Sequence, residues 1–299
     1  MERYDIAIIG SGPAGLSAAV NAKVRNKNII VFGSKNLSKK LNLAPVINNY
    51  LGFYGIKGNE LKDKFKEHID KMGIQIQDLK VNNIYAMGEY FSIVTSGETY
   101  EASKVILTMG MEHTKPLNGE DKFLGRGVGY CATCDAPLYK NKVATVIGYN
   151  KEAENEANYL GEIASKVYYV PMYRDEYKLD SGVELVKDIP VEIVGDKKVE
   201  KLKLKSSEIE TDGVFVLKDS APPEQLVPGL EVEDGHIKVN RKMETNIDGC
   251  YAAGDCTGKP YQYMKSVGEG QVAALTAVKY IDSLKWFIEV INEGVSYKI

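Results

Sequence analysis

Tyr4-Asp5-Ile6-Ala7-Ile8-Ile9-Gly10-Ser11-Gly12-Pro13-Ala14-Gly15 opens the chain and decides its fold class. Its first six residues are mostly apolar and barely alternate, the pattern of a parallel strand buried on both faces. A Gly-x-Gly-x-x-Gly turn follows, then small residues over 16–22 that suit a closely packed helix, then a second apolar strand at Ile29-Ile30-Val31-Phe32. Together they make a βαβ unit of about thirty residues. Each glycine has its own duty in such a unit. Gly10 permits the tight turn, Gly12 lets the backbone approach a pyrophosphate, and Gly15 allows helix and strand to pack closely. Pro13 and Ala14 complete the loop, and the N-terminus of the helix that follows supplies amide donors and a positive dipole end to the phosphates. A dinucleotide site is therefore expected. The acidic residue that would hold a ribose hydroxyl at the end of the second strand is absent, since Phe32-Gly33-Ser34 stands there. That omission disfavours a plain NAD site.

Further along, a helix is expected over 59–72, with strand-like runs at 75–85, 91–95 and 104–107 and a connector at 116–119. The opening pattern then restarts with a strand at 142–147, a turn at Gly148, a helix at 152–163 and a strand at 166–170. A strand and turn over 249–257 precede a helix from 262 to 281, and 284–299 is left as a tail. Two βαβ signals imply an α/β protein of two doubly wound, Rossmann-like domains, the second inserted in the first. The expected boundaries are 1–113 with 241–299 for a dinucleotide domain, and 114–240 for the insert.

The bulk numbers narrow the function. The 299 residues are 44% apolar and 26% charged with a net charge of -3, the profile of a globular enzyme without the basic face of a nucleic-acid binder. No apolar run reaches the roughly 18–20 residues of a membrane span. The first apolar run ends in a glycine turn rather than a cleavage site, so a cytoplasmic protein is expected. Four cysteines in such a chain point to catalysis or metal rather than a structural disulfide framework. Zinc would need more ligands than one CxxC supplies. Cys250 and Cys256 lie far off and His68, His113 and His236 are scattered, so no metal is expected.

The chemistry concentrates in Tyr130-Cys131-Ala132-Thr133-Cys134-Asp135. Thiol–disulfide exchange needs a thiolate to attack and a proton for the departing sulfur. A helix N-terminus or nearby cation lowers one thiol's pKa, and Asp135 is placed to move protons. Cys250 and Cys256 are read as packing residues.

Cys-Ala-Thr-Cys-Asp between two βαβ units, with Gly254-Asp255-Cys256 downstream, resembles the low-molecular-weight flavoprotein thioredoxin reductases. The likeness runs through Asn49-Tyr50-Leu51-Gly52, Thr108-Met109-Gly110 and Tyr251-Ala252-Ala253-Gly254-Asp255, and so covers nearly the whole chain. It implies FAD in the first domain, held by Gly10, Gly12, Pro13, Ala14, Gly15, Asn49 and Gly110. Asp255 would contact the ribityl chain, with Gln262 and Tyr263 near the isoalloxazine. Cys134 would lie against the flavin C4a, Cys131 would attack the disulfide of thioredoxin, and Asp135 would act as acid and base. The resemblance also implies a homodimer.

A typical member of that family reduces its flavin with NADPH held in the second domain, and here both sequence parts of that site depart from the pattern. In Val146-Ile147-Gly148-Tyr149-Asn150-Lys151-Glu152-Ala153, Asn150 occupies the second fingerprint glycine and Glu152 sets a negative charge at the helix start. Val170-Pro171-Met172-Tyr173-Arg174-Asp175 replaces the basic cluster that clamps a 2'-phosphate. The chain thus resembles the family members that take electrons from ferredoxin. Low-potential ferredoxins lie at about -400 mV and thioredoxin at about -270 mV, roughly 6 kcal/mol downhill for two electrons. The alternatives are a flavin dithiol oxidase using oxygen, a reductase with an altered NAD(P)H site, and a flavin-bound sensor or scaffold, which would need neither thiol. An acidic ferredoxin calls for a basic patch. Lys35, Lys39 and Lys40, or Lys62, Lys64 and Lys66, or the run 197–205 could supply it, though each also reads as a solvated face. In the tail, Tyr297 could shield a flavin face, or Trp286, Phe287 and Tyr297 could simply pack at a dimer or domain surface.

Overall fold

Continuous apolar runs become parallel strands in the computed structural model, which describes residues 3–292 except 96, 112–115 and 219–221. The chain forms two compact units, Met1–Met111 with Pro222–Ile299, and Glu112–Ala221. The first unit begins with β1 (Tyr4–Ile9), α1 (Pro13–Val24), β2 (Ile29–Phe32), α2 (Lys39–Asn42) and α3 (Gly58–Lys71). Strands β3 (Ile76–Gln77), β4 (Val81–Ala86), β5 (Phe91–Thr95) and β6 (Thr99–Leu107) follow. The second unit holds β7 (Val128–Gly129), α4 (Ala132–Asp135), β8 (Val143–Gly148), α5 (Glu152–Gly161), β9 (Lys166–Pro171) and β10 (Val183–Leu185). It continues with β11 (Pro190–Val194), β12 (Lys201–Leu204), β13 (Glu208–Glu210) and β14 (Gly213–Leu217). The chain then returns to the first unit with α6 (Pro223–Leu226), β15 (Val232–Glu233), β16 (His236–Ile237), β17 (Cys250–Ala252) and α7 (Tyr263–Asn292).

In the first unit the sheet runs β3-β2-β1-β6-β5-β4, with β17 also on β6. Ile8 sits between Val31 and Ile106 in parallel register, so β1 is central and Ile6–Ile9 are buried. β6 is long enough to divide its outer edge. Thr99–Ala102 pairs antiparallel with β5, and Val105–Leu107 pairs parallel with β17. On one face Ala18, Ala19 and Ala22 of α1 share a core with Ala273, Ala274 and Ala277 of α7. Small side chains let the two helices close in. Gly270 marks the tightest point, because a β-carbon there would lie 2.1 Å from the Ala14 carbonyl oxygen. The opposite face packs Ile30, Phe32, Ile84 and Phe91.

That second core explains why the return to the first unit falls at Pro222 and not at 241. Leu226, Val227, Leu230 and Ile237 are buried beside Ile84 and Phe91, and each such side chain contributes about 1.5–3 kcal/mol. A second difference concerns the tail. α7 continues to Asn292 and takes in most of it.

The second unit has an all-parallel sheet, β10-β9-β8-β14-β7, and a separate antiparallel sheet, β11-β12-β13. Ala153, Ala157 and Leu160 of α5 cover one face of the parallel sheet, while Ile193, Leu202 and Ile209 cover the other. Among the described residues no helix is long and apolar enough to cross a membrane, and no three His, Cys, Asp or Glu residues are grouped to hold a metal.

Candidate active site

The first unit presents a cradle at the carboxyl end of β1. Gly10 has φ +120°, and a β-carbon on it would lie 2.3 Å from the Thr108 carbonyl oxygen; one on Gly15 would lie 1.9 Å from the Gly10 carbonyl oxygen. Those two glycines are therefore required by the protein itself. Gly12 is different, since a β-carbon there would meet nothing within 4 Å. α1 starts beside that open space with Pro13 in its first turn, no side-chain cap and no acidic residue. Uncapped amides facing a space that a β-carbon would partly fill are what a diphosphate needs, so the cradle fits FAD. Where the ribose-binding acid is missing, Gly33 lies so close to Ser11 that a β-carbon would stand 2.8 Å from the Ser11 nitrogen.

The other sequence-predicted cofactor residues belong to the same unit. Gly254 approaches Ala14, where a β-carbon would be 2.9 Å from that of the alanine. Asp255 starts a single 3-10 turn, Asp255–Thr257, and accepts from the Ser266 hydroxyl at 3.3 Å. Asn49 Nδ2 donates to Gln262 Oε1 at 2.8 Å, and the Tyr263 hydroxyl reaches the Lys40 carbonyl at 3.4 Å. Gly110 follows β6, whose Leu107 carbonyl accepts from the Cys256 thiol at 3.5 Å. Two further residues escaped the sequence reading. Lys265 Nζ donates to the carbonyls of Gly254 (2.8 Å) and Gly258 (2.7 Å), and Glu269 accepts from the Gly254 amide (2.9 Å) and the Thr257 hydroxyl (2.8 Å). The two side chains pair at 3.0 Å and pin the loop that carries Asp255. Their i,i+4 spacing just after Gly-Asp was the available signal. Cys250 and Cys256 are fully buried, and burial pushes both thiols up to about 12, as suits packing residues.

In the second unit Cys131 and Cys134 form a disulfide, with Cα atoms 5.4 Å apart. Cys131 caps α4, its sulfur accepting from the Cys134 amide at 3.1 Å. Cys134 is exposed and Cys131 half-buried. Burial holds the Asp135 carboxyl above the usual carboxylate range. Gly129 gives it room, since a β-carbon there would stand 3.0 Å from Asp135 Oδ2. Glu156 of α5 accepts from the amides of Ala132 (2.8 Å) and Thr133 (3.5 Å) at the start of the turn. The Tyr130 hydroxyl donates to Glu120 at 2.8 Å, and Glu120 pairs with Lys218 at 3.2 Å, both charges nearly buried. Sequence reasoning found the thiols and Asp135 but not Glu156, Glu120 or Lys218.

The second strand–turn–helix, at Gly148, is filled by its own side chains. Asn150 Oδ1 accepts from the Ala153 amide at 3.1 Å, taking a donor that a phosphate would use. Glu152 and Glu154 both lie in the first turn of α5. Glu154 is buried and accepts from the Tyr173 hydroxyl and from the Lys178 amide at 2.8 Å. Tyr173 in turn bonds the Tyr169 hydroxyl at 3.1 Å, and a β-carbon on Gly148 would lie 2.2 Å from that hydroxyl. Burial pushes Tyr169 up to about 12 and Tyr173 higher still, so both phenols stay protonated as donors. Lys151 is taken by Asp175 at 2.9 Å, and Arg174 is exposed. These residues do not fit a nicotinamide dinucleotide.

The three lysine groups also differ. Lys64 and Lys66 pair with Glu67 and Asp70, and Lys198, Lys201 and Lys203 pair with Asp212, Glu208 and Glu192. In the first group Lys40 donates to the Met111 carbonyl, and the side chain of Lys39 lies outside the described residues. So do His113, Tyr297 and the side chains of Trp286 and Phe287.

The sequence profile of the pyridine nucleotide-disulphide oxidoreductase family matches residues 4–270. The thioredoxin reductase of Listeria innocua is 32% identical over 96% of each chain. A crystal structure of a ferredoxin-flavin thioredoxin reductase from Clostridium acetobutylicum is 83% identical, with a TM-score of 0.92 over 95% of this chain and 99% of that one. A second ferredoxin-flavin thioredoxin reductase structure from the same organism is 58% identical, with a TM-score of 0.85 over 96% and 100%.

Proposed function

Because the chain belongs to the thioredoxin reductase family of pyridine nucleotide-disulphide oxidoreductases, we propose that it is an FAD-dependent thioredoxin reductase fed by reduced ferredoxin. One observation carries the choice of donor. Of two strand–turn–helix cradles, the first leaves its helix amides to a ligand and the second satisfies them internally. The likeness to ferredoxin-flavin thioredoxin reductases supports the same reading.

In this reading Gly10, Gly12, Pro13, Ala14 and Gly15 hold the FAD diphosphate, and Asn49, Gly110, Asp255, Gln262 and Tyr263 line the rest of the cofactor. Bound there, FAD supplies a centre that takes electrons singly from an iron–sulfur protein and releases them as a pair. The Cys131–Cys134 disulfide accepts that pair with two protons and becomes a dithiol. Cys131 then attacks the thioredoxin disulfide and forms a mixed disulfide, which Cys134 resolves by attacking the Cys131 sulfur. Two protons leave with the reduced thioredoxin. Asp135, its carboxyl raised by burial, is suited to carry a proton between these sulfurs and water. The unit carrying the first cradle is the FAD domain, and the protein works as a cytoplasmic homodimer. Since carboxylates match most of the other two lysine groups, we assign ferredoxin docking to Lys35 and Lys40.

The test is a donor comparison under anaerobic conditions. Reduced ferredoxin should bleach the flavin absorbance, more slowly in a Lys35→Glu/Lys40→Glu variant, while NADPH and NADH should leave it unchanged. Rapid bleaching by NADPH would overturn the donor assignment and leave the dithiol assignment standing.

A further inference from the structure

A carboxylate bonded to the dithiol turn from α5 takes no part in the reaction above. α4 is a single turn, too short to hold itself together once the disulfide opens. Its first amides, on Ala132 and Thr133, are met by Glu156, which is fixed on the longer helix α5. Amides at a helix start are the donors that would otherwise stabilise a thiolate at the capping position, and Cys131 occupies that position. We propose that Glu156 is a positioning residue of the dithiol, tying the CxxC turn to α5 in both redox states and withholding the Ala132 and Thr133 amides, while the Cys134 amide stays on the sulfur, from a thiolate on Cys131.

The charges around Cys131 make the direction definite. α5 contributes Glu156, and the turn itself contributes Asp135. The 3-10 turn that follows, Ala136–Tyr139, contributes Tyr139, whose ring Lys142 approaches to 5.6 Å and whose phenol is held protonated by burial and by the charges of Asp135 and Asp212. Through the preceding residue, Tyr130 leads to Glu120, whose charge Lys218 balances. The group bonded to the amides is a carboxyl side chain, and a like charge beside a sulfur disfavours the thiolate. A pair held as thiols is less stabilised in its reduced form than a pair held as thiolates, so Glu156 keeps the dithiol a stronger reductant.

The proposal rests on the dithiol assignment, but its test needs neither ferredoxin nor thioredoxin, so the two can fail separately. The holoenzyme is reduced chemically, and alkylation of Cys131 by iodoacetamide is followed against pH by peptide mass. E156Q keeps an acceptor oxygen and removes the charge. Its alkylation profile should shift down by about one pH unit, roughly a tenfold gain in rate below the wild-type midpoint. Glu156→Ala frees both amides and should shift it at least as far. At equilibrium with a thiol buffer, both variants should hold more dithiol than the wild type. FAD content and melting temperature check that the variants are folded, and E156Q decides the question if the alanine variant is not. A role confined to packing would slow turnover without moving the profile. A profile of E156Q that superimposes on the wild type, or shifts upward, overturns the proposal.

Discussion

The turns at Gly10–Gly15 and at Gly148–Glu152 start from one backbone plan, a buried parallel strand delivering the chain into a helix, and they end in opposite states. At the first, Gly12 faces open space and no side chain caps α1. At the second, Asn150 bonds an amide of α5, and Glu154 and Tyr173 bond one another beside it. Electrostatics alone would not separate them, since a charge at a helix start is worth only about 0.3–1 kcal/mol. Hydrogen bonds separate them. A dinucleotide entering the second turn would have to displace partners of buried donors, at about 1–3 kcal/mol for each donor left unsatisfied. A binding site is closed here by what has been packed into it as much as by the glycine it has lost.

The largest effect that could break this comparison lies at Gly12. Because a β-carbon there touches no protein atom, Gly12→Val should leave the fold intact yet fill the cradle. Circular dichroism should match the wild type while the purified variant carries no FAD and has no reductase activity. Gly10→Ala should instead damage folding itself, since its β-carbon would collide with the Thr108 carbonyl. A Gly12→Val protein that retains a full complement of FAD would show that the open space is not the cofactor's.

Next in size is Asp135, which tests whether the unit with the closed turn still performs chemistry. Asp135→Asn should lower thioredoxin reduction by roughly 100-fold or more, within the usual range for a general acid–base group. It should also change how stability varies with pH. Burial raises this carboxyl's pKa in the folded state, so the folded protein holds a proton that the unfolded chain has released. The associated stability is complete below the unfolded pKa and is lost as pH rises through the folded one. The variant lacks this loss. Its melting temperature relative to wild type should therefore climb with pH across that window, and a constant difference would count against a buried carboxyl.

How much of this was legible beforehand follows from what kind of signal each part leaves. The first cradle, the CxxC and the departure at Asn150 are local patterns, so consecutive residues revealed them. The filling of the second turn was only half visible. Tyr173 and Glu152 were noticed, but Glu154 and Tyr169 act because β8 and β9 are neighbours in register, Gly148 beside Pro171, and no local pattern records that. Glu156 and Lys218 went unread for the same reason, each meeting the dithiol region from a distant segment. The return at Pro222 was missed because Leu226 and Val227 join a core built mostly from residues far earlier in the chain. The length of α7 is another matter. No glycine or proline interrupts 271–293, and the sequence offered no reason to stop the helix at 281.

The smallest expected effect is also the sharpest test of the contrast. Asn150→Gly restores the fingerprint glycine and removes one bond to α5. Exchanging a capping asparagine for glycine costs only a few tenths of a kcal/mol, so the melting temperature should fall by a degree or two at most. NADPH should still fail to bleach the flavin, because Tyr173 still links Glu154 of α5 to Tyr169 of β9 beside the same turn. A response to NADPH in this single variant would mean that one side chain closes the site and that the tyrosine–glutamate packing is incidental. No response, with the stability barely changed, would place the closure in the network as a whole. Reopening the site would then need several substitutions made together.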